Sequence, residues 1–191
     1  MGKKLKTHDA LVEAAFSLFK ELGFEATTVE QIADRAEVSR RTFFRYFATK
    51  ESIAFPHHAE RLELFEKYLS QRIHGETPLT AVRRCLIIIA REYEREREQI
   101  LEQAQLIESS PTLIAKDRIL DLRWEEVIAQ ALVNGSDSND QKKRQARLLA
   151  GAVVGVIRAA LREWMASGCQ LDLVNLGTEA LDLLARGTGT E

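Results

Sequence analysis

The chain has 191 residues, 45% hydrophobic and 29% charged, with a formal net charge of −2. That length holds one medium domain or a small one joined to a larger one, and the composition is that of a soluble globular protein rather than a disordered or fibrous one. No basic start leads into an apolar run, the longest apolar stretch (148–157) is too short to span a bilayer, and two cysteines, Cys85 and Cys169, make no disulfide scaffold. The expected location is the cytoplasm, with no membrane partner.

Leu11, Val12, Ala15, Phe16, Phe19 and Leu22 keep helical spacing, which predicts a first helix over about 7–22 with Gly23 as its stop. Ahead of it, Lys3, Lys4 and Lys6 read either as a mobile basic arm or as an exposed polar terminus. Thr28 and Gln31 form a T-x-x-Q capping box, and Val29, Ile32, Ala33 and Ala36 give the next helix one apolar face. Glu37 and Val38 make a tight turn, and Ser39 caps a third helix. There Phe43 and Phe47, four apart, anchor the core, while Arg40, Arg41 and Phe44 fall on the outer face near the N-terminus.

Two short helices joined by a turn, the second rich in arginine, have the chemistry of a helix-turn-helix reader. The arginine fork matches guanine O6 and N7, and an aromatic ring packs on a thymine methyl. On this reading Arg40, Arg41 and Phe44 face base edges. Thr28, Thr42, Arg45, Tyr46 and Lys50 hold phosphates, which fix register, and Ser39 frees backbone amides for an anion. A solvated basic face is the plainer reading of a few arginines, but the capped spacing of the two helices outweighs it. Charge agrees: residues 1–50 carry 9 Lys/Arg against 7 Asp/Glu, and the remainder 18 against 22.

The stretches LFKELGFEATT and TTVEQIADRAEVSRRTFFRYFATKESI resemble the TetR family of bacterial transcriptional regulators, over about residues 7–55. Two departures stand out: Phe44 where the family very often has Tyr, and Ala48 where Pro is frequent. The resemblance implies an all-α fold of about nine helices. It would comprise an N-terminal three-helix helix-turn-helix DNA-binding domain at 1–50, a C-terminal helical ligand-binding and dimerisation domain at 51–187, and a tail at 188–191. It also implies a homodimer on a double-stranded palindromic operator and a small-molecule effector.

Further along, a fourth helix is expected from a Thr49 cap to about residue 73, kinked at Pro56. After a polar break at 74–77, Pro78 opens a fifth helix with Leu79, Val82, Leu86, Ile89 and Tyr93 inward. The charged stretch 91–99 reads as a solvated face, with Glu92–Glu96 opposite Arg91–Arg95. Helices over about 100–108 and 111–133, a loop at 134–140, helices over about 141–167 and 172–186, and a disordered tail complete the chain.

The last two helices carry more apolar surface than one monomer readily covers. Val153, Ile157 and Leu161 on one, and Leu173, Leu176 and Leu184 on the other, are expected to pair with their copies in a four-helix bundle about a two-fold axis. Gly151, Gly155 and Ala159 add a row of small residues beside them. An ordinary monomer core is the alternative. Phe65, Ile88, Tyr93 and Trp124 are candidate ligand-binding residues around an apolar cavity, or else filled core. The wording SRRTFFRYF with K-E, the F-x-x-H that follows and the P-L-T-A-V opening resemble the TetR-type subgroup thought to sense acyl-coenzyme A-like ligands. His57 and His58 with Glu60 make a poor metal site, because adjacent histidines on a helix diverge. No serine elbow, phosphate loop or H-E-x-x-H motif occurs, so no enzyme, catalytic residue, metal or cofactor is expected. The function read from the sequence is a repressor released by an apolar or acyl-CoA-like molecule. An activator or ligand-independent regulator, and a helical carrier without DNA recognition, remain alternatives.

Overall fold

A computed structural model describes residues 2–71, 73–133 and 139–186. Among the described residues the chain forms ten helices and no strand: α1 (Gly2–Leu22), α2 (Val29–Arg35), α3 (Arg40–Tyr46), α4 (Lys50–Ile53), α5 (His58–Ser70), α6 (Pro78–Arg95), α7 (Arg97–Glu108), α8 (Pro111–Leu132), α9 (Asp140–Ala166) and α10 (Leu173–Arg186). They divide into two compact units. The first runs to His58 and takes in Glu102–Arg118; the second holds Ala59–Leu101 and the chain from Ile119 on.

In the first unit local chemistry sets every boundary of the helix-turn-helix. Gly23, at φ 82°, ends α1. The Thr28 hydroxyl accepts from the Gln31 amide at 3.2 Å and the Gln31 side chain accepts from the Thr28 amide at 2.8 Å, closing the capping box. Glu37 turns the chain at φ 54°, and the Val38 amide donates to Ala33 O at 2.9 Å. Ser39 Oγ then accepts from the Thr42 amide at 3.1 Å to start α3. α1 packs on α2 and α2 on α3, with Leu11, Ala15, Phe19, Ile32, Ala33, Phe43 and Phe47 buried. Thr28→Ala removes one arm of the box and should destabilise the unit by about 1 kcal/mol, read as a lower urea midpoint; an unchanged midpoint would mean that α2 starts without its cap.

Arg35 of α2 grips Glu21 of α1 through two hydrogen bonds of 2.9 Å. The Arg35 hydrogen bonds, with help from the Ser17 hydroxyl, lower the Glu21 pKa to about 2. A carboxyl depressed in the fold contributes stability that is complete above its unfolded pKa and lost as pH falls through the folded value. Between about pH 4.5 and 2 the unit should therefore weaken, and Glu21→Gln should flatten that stretch of the stability–pH curve. A superimposable curve for the variant would remove Glu21 as the cause.

Three expectations change. α1 starts at Gly2, so Lys3, Lys4 and Lys6 belong to its first turns rather than to an arm before it. The single kinked helix from Thr49 is two helices: α4 stops at Ile53, the chain turns through 54–57, and α5 starts at His58. Pro56 has no N–H, and its ring disfavours a helical Phe55, so here it ends a helix instead of bending one. In the charged stretch, Arg95 pairs with Glu92, but Glu96 turns to Arg61 of α5, whose side chain is largely buried. Of the loop expected at 134–140, residues 134–138 lie outside the described residues, as does the tail beyond Arg186; Asn139 caps α9, its Oδ1 accepting from the Lys142 amide at 2.9 Å.

The second unit packs α10 against α9 and α6. Leu62 and Phe65 of α5, Val82, Cys85 and Ile89 of α6, Ile128 of α8, Val153 of α9 and Leu181 of α10 form its core. Ion pairs brace the helices: Arg83 of α6 with Asp182 of α10, Arg158 of α9 with Asp121 of α8, and Arg84 with Glu76 at 2.9 Å. Cys85 and Cys169 are free and buried, and burial pushes their thiols up.

Candidate nucleic-acid interface

α3 presents two faces. Phe43 is fully buried and Phe47 nearly so. On the other face Arg40, Arg41, Phe44 and Arg45 are exposed, and Thr42 and Tyr46 are half-exposed. Phe44 stands edge-on to Phe43 at 5.3 Å between centroids, which steadies an aromatic ring that is 47% exposed. The basic side chains differ in how far they are already engaged. Arg40 pairs with Glu30 of α2 at 2.8 Å, and its guanidinium lies 5.9 Å from the Phe44 centroid. Arg45 rests on the Tyr46 ring at 5.3 Å. No polar contact joins Arg41 to another described residue.

The hydroxyls are near the start of α3. Ser39 Oγ and Thr42 Oγ1 lie 3.0 Å apart. Thr28 is exposed at the N-terminus of α2 with its oxygen occupied by the cap. Lys50, at the first position of α4, is engaged within the chain: Nζ donates to Phe24 O at 2.7 Å, to Thr27 O at 2.9 Å and to Glu25 O at 3.4 Å. Sequence reasoning missed the Glu30 partner of Arg40 and these carbonyl partners of Lys50. It also missed His8 of α1, whose ring lies 5.1 Å from Phe47 and 6.4 Å from Tyr46. No spacing rule signals any of them, because each joins residues of different helices or loops.

The residues singled out in the second unit are only partly brought together. Phe65, Tyr93 and Trp124 share one apolar core, with the Phe65 and Trp124 rings 5.1 Å apart. The Arg61 guanidinium covers Tyr93 at 4.6 Å. Ile88 is half-buried on α6. Of the expected dimer residues, Val153 and Leu173 are buried in the chain's own cores, so those two side chains stabilise the monomer and cannot face a partner. Ile157, Leu161, Leu176 and Leu184 are half-buried, while Leu148, Gly155 and Ala159 on α9 and Leu183 on α10 are exposed. Among the described residues no group of three His, Cys, Asp or Glu could hold a metal ion, and no helix is long and apolar enough to cross a membrane.

Residues 11–55 match the family model of bacterial regulatory proteins of the tetR family, and residues 76–189 match the MftR C-terminal domain. The HTH-type transcriptional regulator TcmR of Streptomyces glaucescens is 32% identical over 95% of this chain and 84% of its own. The crystal structure of Thermus thermophilus FadR, a TetR family transcriptional repressor in complex with lauroyl-CoA, is similar with a TM-score of 0.56, 25% identity and coverage of 96% of both chains. SmeT, the repressor of the Stenotrophomonas maltophilia multidrug efflux pump SmeDEF, shares the fold with a TM-score of 0.62 at 20% identity, covering 94% of this chain and 91% of its own.

Proposed function

The chain belongs to the TetR family of bacterial regulatory proteins, and we propose that it works there as a cytoplasmic repressor. On this proposal it is a homodimer that reads a palindromic duplex operator with α3 and leaves it when an apolar or acyl-CoA-like molecule binds. The observation that carries the proposal is the division of α3: Phe43 buried on one side, Arg41 exposed on the other with no polar contact to a described residue, within the first turn after a capped N-terminus. Such an end enters the major groove and reaches base edges. Arg41 and Phe44 read bases, Arg40 joins them once it releases Glu30, and Thr28, Thr42, Arg45 and Tyr46 set register on phosphates.

Residues 1–50 would carry DNA binding, and 51–187 the effector and the two-fold interface. A single seven-residue reader binds weakly; two held about 34–36 Å apart, or a multiple, read both halves of a palindrome. The effector proposal leans on the apolar, aromatic interior around Phe65, Tyr93 and Trp124 and on the lauroyl-CoA held by the Thermus relative. The test is selection of bound sequences from a random duplex pool at near-physiological salt, then addition of lauroyl-CoA. An enriched two-fold palindrome released by the thioester supports the proposal. Salt-sensitive binding without enrichment would overturn the operator, and retention on lauroyl-CoA would overturn the effector class.

A further inference from the structure

We propose that Lys50 is a positioning residue for DNA reading and not a phosphate contact: its ammonium is spent on fastening the loop that leads into α2. This rests on the reading of α3 as the DNA-reading helix. An ammonium has three N–H donors and no acceptor. Those of Lys50 meet the carbonyl oxygens of Phe24, Thr27 and Glu25 at 2.7, 2.9 and 3.4 Å. The same nitrogen lies 4.2 Å from the centroid of the Phe24 ring, which is itself buried. A phosphate at Lys50 would have to displace three backbone acceptors and an aromatic face.

The loop is held on other sides as well. Thr27 is 1% exposed, and its hydroxyl donates to Gly23 O at 2.8 Å. The Glu25 carboxylate accepts from Ser110 Oγ at 2.7 Å, and hydrogen bonds from Ser110 and then Thr112 lower its pKa from the ordinary carboxylate value. The next residue after Thr27 is Thr28, the cap of α2. Lys50 thus ties the residue that follows α3 and its Thr49 turn to the residues that precede α2. One side chain brackets the helix-turn-helix at both ends and fixes where α2, and through the Glu37–Val38 turn α3, begins. Three carbonyls converging on one point suit a compact ammonium with rotatable donors; a planar guanidinium, with its donors in a rigid fork, does not fit that arrangement.

The test uses the full chain with Lys50→Met and Lys50→Arg. Affinity is measured for the selected palindrome and for a random duplex over a range of salt, and amide exchange is followed at Thr28 and Gln31. Both variants should lose at least tenfold in the ratio of specific to non-specific affinity, exchange those amides faster, and keep the wild-type salt slope on random duplex. A phosphate contact behaves otherwise: Lys50→Met weakens both duplexes equally and lowers the slope by about one per contact, while Lys50→Arg keeps its affinity. That pattern, or unchanged exchange at Thr28 and Gln31, overturns the inference. If Lys50→Met does not fold, Lys50→Arg decides alone, because an arginine that restores wild-type reading overturns it. A wild-type protein that prefers no sequence sinks the DNA-reading proposal itself, whereas loss of the Lys50 inference alone leaves wild-type preference intact.

Discussion

Arg41→Ala should lower affinity for the selected operator by about 1–3 kcal/mol, roughly 5- to 160-fold, with a much smaller loss on random duplex. Arg41 is exposed and has no polar contact with a described residue, so its removal costs the fold little; surface substitutions of this kind stay within about 0.5 kcal/mol. Its neighbour makes the comparison useful. Arg40 must give up Glu30 before it can reach a base. Because both partners are more than a third exposed, that pair is worth no more than about 1 kcal/mol, and it subtracts from whatever Arg40 gains on DNA. The Arg41 effect should therefore exceed that of Arg40→Ala. Operator and random-duplex titrations at one salt concentration check it, and equal loss on every sequence would remove the base-reading role.

The same accounting explains how a chain with net charge −2 binds a polyanion. Among basic residues near the reader, Lys20 is paired with Glu102, Arg35 with Glu21 and Arg40 with Glu30, and Lys50 is held by carbonyls. Arg41 and Arg45 stay outward with no carboxylate of a described residue attached. Counting charges in the sequence gives the sign of the first fifty residues; only pairing tells which cations are available.

That difference marks how far the sequence could be read. The caps were legible because a cap is a rule about residues three apart: Thr28 with Gln31, Ser39 with Thr42 and Thr49 with Ser52 all close as expected. The buried pair Phe43 and Phe47 was legible for the same reason, being one helical turn apart. Pro56 was misread because proline inside an apolar pattern either kinks or ends a helix, and the choice depends on what packs around it. Glu96 was misread because an i,i+4 rule on its own helix competed with Arg61 on another, thirty-five residues away. Val153 was assigned to the wrong side of α9 because that helix is apolar on more than one face, and periodicity does not say which face the chain itself covers.

The face of α9 that the chain leaves open gives the last and largest prediction. Gly155 is exposed, and a Cβ built there meets nothing within 4 Å, whereas at Gly177 it would meet Ile157 at 3.8 Å. Nothing among the described residues requires glycine at 155, and a glycine inside a helix costs about 1 kcal/mol against alanine. Close approach of a second copy would account for it, with Leu148 at 70% and Leu183 at 58% exposure as the apolar surface to be covered. Gly155→Glu should then leave the monomer folded, because the substitution adds helix propensity where there is space, while its melting temperature falls by the share that association gives the wild-type dimer. On a two-fold interface it places two carboxylates against each other in an apolar setting, and the dimer should dissociate to monomer in sedimentation velocity. With one reader helix per molecule, operator affinity should fall by a factor on the order of 10²–10⁴, the advantage a linked second site confers. A Gly155→Glu protein that still sediments as a dimer would move the interface off this face of α9.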